Sequence, residues 1–301
     1  MRQLIKSVAV IACLVVVASC AVSPSGTNNW PGVSGRLPII GDNSGLSAEH
    51  NDTDPIELVN LWRVTAAGET PDTWLWLGQN SYSLWRPCGE INGSWAARTG
   101  IFLASNPWGM SGCNDWDIPW LSGAVNFRAT STGIELLDNA GHTVANLRVD
   151  GGPPSHPYIW DGSSSRRPPV ITDALRSQFV EPAPLPPGFA VPTPTDLVGR
   201  WVVPDELLIP LGGELAVDTP FAEFHADGNW RGSDGCNGLA GAWRLGPDGQ
   251  LLGTSGLQTA IGCLGANVPG WLWAAGRVGL SGNQLTVFDR TGTELGHFLR
   301  D

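Results

Sequence analysis

The chemistry this chain could perform rests on its five histidines, its six cysteines and one glycine-rich turn. An acid–base or nucleophilic reaction needs a nucleophile, a base and a group that orients the base, all converging. His50 and His156 fall in Gly/Pro/Ser-rich stretches, and His142 falls at an expected turn. His225 and His297 lie in strand-like runs beside charged or glycine residues and have no counterpart in the first half of the chain. Neither G-x-S-x-G nor S-x-x-K occurs, so these read as exposed or edge-strand histidines and no catalytic residue is assigned. Asp115-x-Asp117 lacks the remaining oxygen ligands of a calcium loop, and Asp117 reads better as a helix cap. The turn SDGCNG at 233–238 has the glycines of a phosphate cradle without its lysine or its strand-to-helix setting. A backbone position needing positive φ explains it better. No CxxC and no close Cys/His cluster is present, so no metal or cofactor is expected.

The cysteines say more. The chain opens MRQLIK, followed by SVAVIACLVVVAS and Cys20. Two positive charges before about a dozen apolar or small residues make a signal-peptide pattern too short for a permanent span. Val17-Ala18-Ser19-Cys20 resembles the lipobox, in which the cysteine is acylated and becomes the first mature residue. The expectation is a signal peptide at 1–19, lipid on Cys20, and a chain held at the extracytoplasmic face of the cell membrane. Two or three acyl chains suffice for stable anchoring. Cys13 leaves with the signal, so Cys88, Cys113, Cys236 and Cys263 remain, an even number in a compartment where disulfides persist. Lys6 is the only lysine. Without Arg2 and Lys6, 15 arginines face 28 acidic residues, a charge of −13 against −11 for the full chain. An acidic surface argues against nucleic acid as a partner.

Residues 20–54 are polar and Gly/Pro-rich, a flexible tether. A second such stretch at 149–195 contains GGPPSHP, SSSRRPP and EPAPLPPGFAVPTPT and reads as an extended, proline-rich linker. The segments 55–148 and 196–301 align with each other. LVNLWRV (from Leu58) matches LVGRWVV (from Leu197), CGEINGSWAA (from Cys88) matches CNGLAGAWRL (from Cys236), and Trp95 falls on Trp243. The second cysteine follows the first by 25 residues in one copy and 27 in the other. Agreements in the same order mean a tandem duplication. Such a repeat predicts Cys88–Cys113 and Cys236–Cys263 bridges, since an intra-module bridge duplicates naturally. In each copy, short β-forming runs broken by Asp-Gly, Pro-Asp-Gly and Gly-Asn turns predict antiparallel hairpins. Asp117-Ile118-Pro119 and Asn267-Val268-Pro269 predict one short helix after the second cysteine. The fold class expected is mostly β (α+β): two tandem small antiparallel, partly open barrel-like modules, each with one short helix.

The second copy resembles the META/HslJ-like heat-shock lipoprotein domain. The resemblance rests on Gly199-Arg200-Trp201, on FAEFHADGNWRGSDGCNGLAGAWRL, which carries Gly232, Gly235-Cys236-Asn237 and Gly241, and on Thr259-Ala260-Ile261-Gly262-Cys263. The first copy looks like a diverged relative, with Pro87-Cys88-Gly89 in place of Gly-Cys-Asn and Gly109 where the threonine stands. The resemblance implies a small antiparallel barrel with a helix and an envelope role in stress or antibiotic tolerance without an enzymatic site. It also makes an inhibitor or apolar-ligand carrier conceivable, with the ligand in a barrel mouth.

Tryptophan is the unusual residue, 15 in all and eight between Trp62 and Trp120. Trp62, Trp95, Trp201 and Trp243 occupy matched positions and read as core. Trp74 and Trp76 share one strand face; Trp85, Trp108, Trp116 and Trp120 have no tryptophan partner in the second copy. Eight indoles, each with an N–H to satisfy, crowd a module of this size. Two readings stand: an exposed aromatic surface for wall glycan or an envelope protein, or extra core packing and docking of the linker. The functional expectation is a non-enzymatic binding or envelope-maintenance role, with an unrecognised hydrolase the remotest alternative.

Overall fold

The computed structural model describes residues 53–301 apart from 106, 108, 115–116, 156–162, 211–217, 257, 260 and 263. The lipobox and Cys20 lie outside the described residues. A 3₁₀ turn at Pro55–Leu58, capped where the Asp54 carboxylate accepts from the Ile56 amide at 3.0 Å, leads into the first barrel. Its strands are β1 (Leu61–Ala66), β2 (Trp74–Leu77), β3 (Ser81–Arg86), β4 (Gly89–Arg98), β5 (Ile101–Ala104), β6 (Gly109–Ser111), β7 (Asn126–Thr130), β8 (Gly133–Leu137) and β9 (Thr143–Arg148), with helix α1 (Pro119–Ser122) before β7. The order β3-β2-β1-β9-β8-β7-β5-β4 returns on itself through β3–β4 pairing, a closed ring of eight strands, with β6 added alongside β4. Closure is possible because β4 is long: it pairs with β3 at one end and with β5 at the other. Its burial alternates from Gly89 to Ala97, with Ile91, Trp95 and Ala97 turned inward, the period-two pattern of a strand with one face on a core, and only the last residue, Arg98, breaks it.

The chain then passes α2 (Asp173–Ser177) and α3 (Pro194–Leu197) and enters a second ring. Here β10 (Gly199–Val202), β12 (Phe221–Phe224), β13 (Asn229–Ser233), β14 (Gly238–Leu245), β15 (Leu251–Gly253), β17 (Arg277–Ser281), β18 (Gln284–Phe288) and β19 (Glu294–Arg300) run in the order β15-β14-β13-β12-β10-β19-β18-β17. This ring is nearly closed: a Gln250–Arg277 bridge and the Leu251 amide donating to the Gly276 carbonyl (3.2 Å) join its ends. A separate pair, β11 (Ile209–Pro210) with β16 (Leu264–Gly265), and helix α4 (Val268–Ala274) complete it.

The duplication is visible bond by bond. Trp62 Nε1 donates to the Leu58 carbonyl at 2.8 Å, and Trp201 Nε1 to the Leu197 carbonyl at 2.7 Å. The Trp95 amide donates to Asn80 and the Trp243 amide to Gly228, at equivalent turns. Each ring is filled by its own side chains: Trp62, Tyr82, Trp95, Phe102 and Phe127 in the first, Trp201, Phe224, Trp230, Trp243 and Phe298 in the second. Aromatic groups of this size close small barrels without leaving a lumen.

Two expectations need correction. The described residues of the proline-rich linker 149–195 form a docked strap rather than a plain spacer. Leu175 enters the first core, Phe179 stacks on Trp95 with centroids 5.9 Å apart, and Phe189 meets Phe288 edge-on at 5.0 Å. Ala190 pairs with Leu280, and Ala183 donates to Arg290. Few of its backbone groups enter a ladder, so ring stacking and side-chain bonds hold it. The N-cap position of α1 also falls one residue after the expected Asp117. Ile118 is the N-cap of α1 and has no side-chain bond, whereas Asn267 caps α4 by accepting from the Gly270 amide at 3.2 Å.

The barrels meet through equivalent strands. Leu103 of β5 and Leu252 of β15 hold matched positions and share one small cluster with Ala242, flanked by Ala96 and Ile101. Ser94 donates to the Ser255 carbonyl at 2.6 Å across the same contact. Among the described residues no helix is long and apolar enough to cross a membrane.

Candidate functional site

Among the described residues the tryptophans do not form an open platform. Trp74 (4% exposed) and Trp85 (2%) pack outside the first barrel with Leu61, and Trp76, half-buried, leans on the same cluster. The strap covers them: Arg166 lies over Trp85, Trp76 Nε1 donates to the Arg167 carbonyl at 3.0 Å, and Ser165 Oγ reaches Glu90 at 3.1 Å. This corrects the expected exposed surface at Trp74 and Trp85; docking of the strap accounts for these indoles. Of the described candidates Trp76 keeps an open side, lining a groove of about 740 Å³ beneath residues 163–175. Trp120 is buried on α1, where its Nε1 donates to Glu69 Oε1 at 2.8 Å. Glu69 also takes Arg86 at 2.5 Å and Thr73 Oγ1 at 3.1 Å, a carboxylate plug with four donors. Trp108 and Trp116 lie outside the described residues.

Cys88 and Cys113 are bridged, joining the start of β4 to the segment before α1. Cys236 is also disulfide-bonded; Cys263, its expected partner, lies outside the described residues. The SDGCNG turn is held from within. Gly235 has φ of +111°, a conformation that strongly favours glycine. Asn237 Oδ1 accepts from Thr259 Oγ1 and from the Ile261 amide, both at 2.7 Å, and its Nδ2 donates to Asp234 Oδ2 at 2.8 Å and the Ile261 carbonyl at 2.9 Å. Asparagine and threonine therefore belong together: one side chain pins the segment ahead of the second cysteine. In the first copy Gly89 has no such side chain, and the matching segment is held by the backbone ladder of β6 on β4 instead.

The described histidines do not converge. His142 sits by Asp138 (3.3 Å), His225 near Glu223 (3.9 Å) and His297 by Glu294 (2.8 Å), each a local pair on its own strand or turn.

The feature with uncompensated chemistry is an arginine crevice between the barrels, which the sequence reading did not single out. Arg98 is the last residue of β4, at a two-residue hairpin whose Gly100 takes φ of +71°. That turn aims it at the second barrel, and it is only 4% exposed. Its Nη1 donates to the Ala97 and Gln178 carbonyls (2.9 and 3.3 Å), its Nη2 to the Ala275 carbonyl at the end of α4 (3.1 Å), and its Nε has no partner. Arg290, in the β18–β19 turn, lines the same cavity, and its Nε also has no partner. Burial, together with the Arg290 charge, pulls the Arg98 guanidinium down to about 9, against a weaker pull from Glu181. Burial pulls Arg290 down to about 10, against a weaker pull from Asp289. The cavity holds about 80 Å³, with Gln79, Asn80, Trp95, Phe179 and Trp273 in its wall; Trp273 is 42% exposed at the rim.

No family model, curated protein or solved structure matches this chain.

Arg277 shows what a neutralised buried arginine looks like here. It is 6% exposed, and its Nη2 pairs with Glu181 at 2.7 Å. Arg86 likewise has Glu69. Among the described residues, neither Arg98 nor Arg290 has a carboxylate partner within ion-pair distance. Arg98 sits in a sequence run, AARTG, that looks like any exposed hairpin end. The strap and the second barrel bury it together, so no sequence signal marks it.

Proposed function

We propose that this chain is a membrane-anchored envelope lipoprotein, acylated on Cys20, with a non-enzymatic binding role in envelope maintenance or stress tolerance. The reading treats the second module as META/HslJ-like and the first as its diverged copy. The observation that carries the binding role is the crevice with two buried or half-buried arginines lacking a carboxylate partner. Unpaired buried charge costs stability, and a site that keeps it is suited to recognising something of opposite charge. The filled barrel interiors weigh against an apolar-ligand carrier. A second reading, wall glycan stacking on Trp76, is favoured by that side chain's place in the open groove.

Two measurements test the proposal. Cells expressing the chain should incorporate an alkyne-tagged palmitate analogue into it, and Cys20→Ala should lose the label and accumulate precursor. Unchanged detergent partitioning of Cys20→Ala would refute the anchor. The purified chain should be stabilised against heat by the small-molecule fraction of an envelope extract; no shift with any fraction would refute the binding role. A Trp76→Ala variant that alone loses retention on wall glycan would favour the second reading.

A further inference from the structure

We propose that the inter-barrel crevice is an oxyanion site, taking a carboxylate or phosphate group that ends a longer molecule; this rests on the binding role above and names its ligand class.

Three observations combine. Arg98 is buried, donates only to uncharged carbonyls and keeps its Nε unpartnered. Arg290 shares the cavity, also has an unpartnered Nε, and acts on Arg98 as a like charge. Arg277, equally buried, pairs with Glu181 at 2.7 Å, whereas among the described residues neither crevice arginine has a carboxylate at ion-pair distance, and Glu181 and Asp289 reach them only as longer-range charges. Two guanidinium groups present planar forks of N–H donors matched to carboxylate and phosphate oxygens. The end of α4 contributes partial negative charge at the Ala275 carbonyl, which steadies Arg98 without neutralising the pair. Gln79 and Asn80 add neutral donors to the wall. A cavity of about 80 Å³ has room for the oxyanion group itself and not for a nucleotide or an acyl chain. Whatever carries the anion must leave past the rim, where half-exposed Trp273 offers a flat apolar face. The ligand is thus an anionic terminus with a planar or sugar-like neighbour, either a peptide carboxylate or a phosphate of a polymer or headgroup.

The test uses the full chain in detergent micelles, titrated with sodium phosphate or sodium acetate against sodium chloride at matched ionic strength and pH 7. One of the two oxyanions, or both, should raise the melting temperature saturably while chloride does not. Phosphate acting alone points to a phosphorylated ligand, acetate acting alone to a carboxylate. Arg98→Gln risks misfolding, so Arg290→Gln is the deciding variant: its apparent affinity for the active anion should fall at least tenfold, while Arg128→Gln, at an exposed site on β7, keeps the full shift. No shift with either oxyanion, or an equal shift in Arg290→Gln, overturns the site. If the envelope extract still stabilises the chain in that case, the oxyanion assignment falls and the binding role stands; if it does not, both fall.

Discussion

At the scale of single residues, buried charge in this protein is either fully answered or left open, and the two cases predict different behaviour. Glu69 is 2% exposed and satisfied by Arg86, Thr73 and Trp120. Glu69→Gln leaves Arg86 buried without its counter-ion, so it should lower stability by about 3–5 kcal/mol, read from urea unfolding; a loss under 1 kcal/mol would mean the plug relaxes into water. Asp196 closes the capping box of α3 by accepting from the Thr193 amide (2.8 Å) and hydroxyl (2.7 Å). The Thr193 bonds hold its carboxyl below the usual carboxylate range. Since the folded value is lower than the unfolded one, its stabilisation is present above the ordinary aspartate range and is lost as pH falls through the folded value. Asp196→Asn should therefore lower stability at neutrality, converge with the native chain at low pH and so flatten the acid limb; an unaltered acid limb would remove Asp196 from that account. Of these residues, Asn237 was the legible one. Its motif with Cys236 and Thr259 stood in the sequence, because the bonds that explain it are made within one module. Arg98 and Glu69 were not legible, since their partners come from distant segments.

At the scale of elements, strands and strap behave differently. The strands announce themselves by alternation and turn residues, and each copy carries a full set. The strap reads as a linker because its composition matches one, while what fixes it is a few side chains. Glu181, Ala183, Phe189 and Ala190 all engage the second barrel. A fragment of residues 181–301 should therefore unfold cooperatively at higher denaturant than one of 196–301, because the shorter piece leaves Arg277 buried without Glu181. Equal midpoints would show that the strap adds nothing. The Cys88–Cys113 bridge closes a loop of 25 residues, worth roughly 3 kcal/mol in the loop-entropy model. Reducing it should lower stability by that order, and non-reducing peptide mapping should find Cys236 joined to Cys263. A Cys88–Cys236 or Cys113–Cys263 peptide would contradict the duplicated pattern.

At the scale of the whole molecule, the two barrels touch through equivalent strands, β4 and β5 of one against β14 and β15 of the other, as in an isologous dimer interface. The apolar part of that contact is small, and the strap and the Arg98 bonds reinforce it. Leu103 is 2% exposed at its centre. Leu103→Asp would bury an unpaired carboxylate there, so calorimetry should show the modules melting in two separated transitions where the native chain melts in one. A single transition in the variant would mean that the coupling runs through the strap alone.

The amino-acid sequence by itself determined the duplication, the β class, the turn at Gly235 and the matched core tryptophans. These depend on local propensity, period-two burial and bonds between residues of one module, which a linear pattern records. Only the tertiary structure decided that the first ring closes, that the proline-rich strap covers Trp74 and Trp85, and that Arg98 and Arg290 share a crevice with no carboxylate among the described residues at ion-pair distance. Each of these outcomes depends on which surfaces meet after the modules have formed. Burial by a distant surface leaves no periodicity in the residues it covers, so an arginine at an ordinary hairpin end becomes a buried charge only once the strap and the second barrel lie against it.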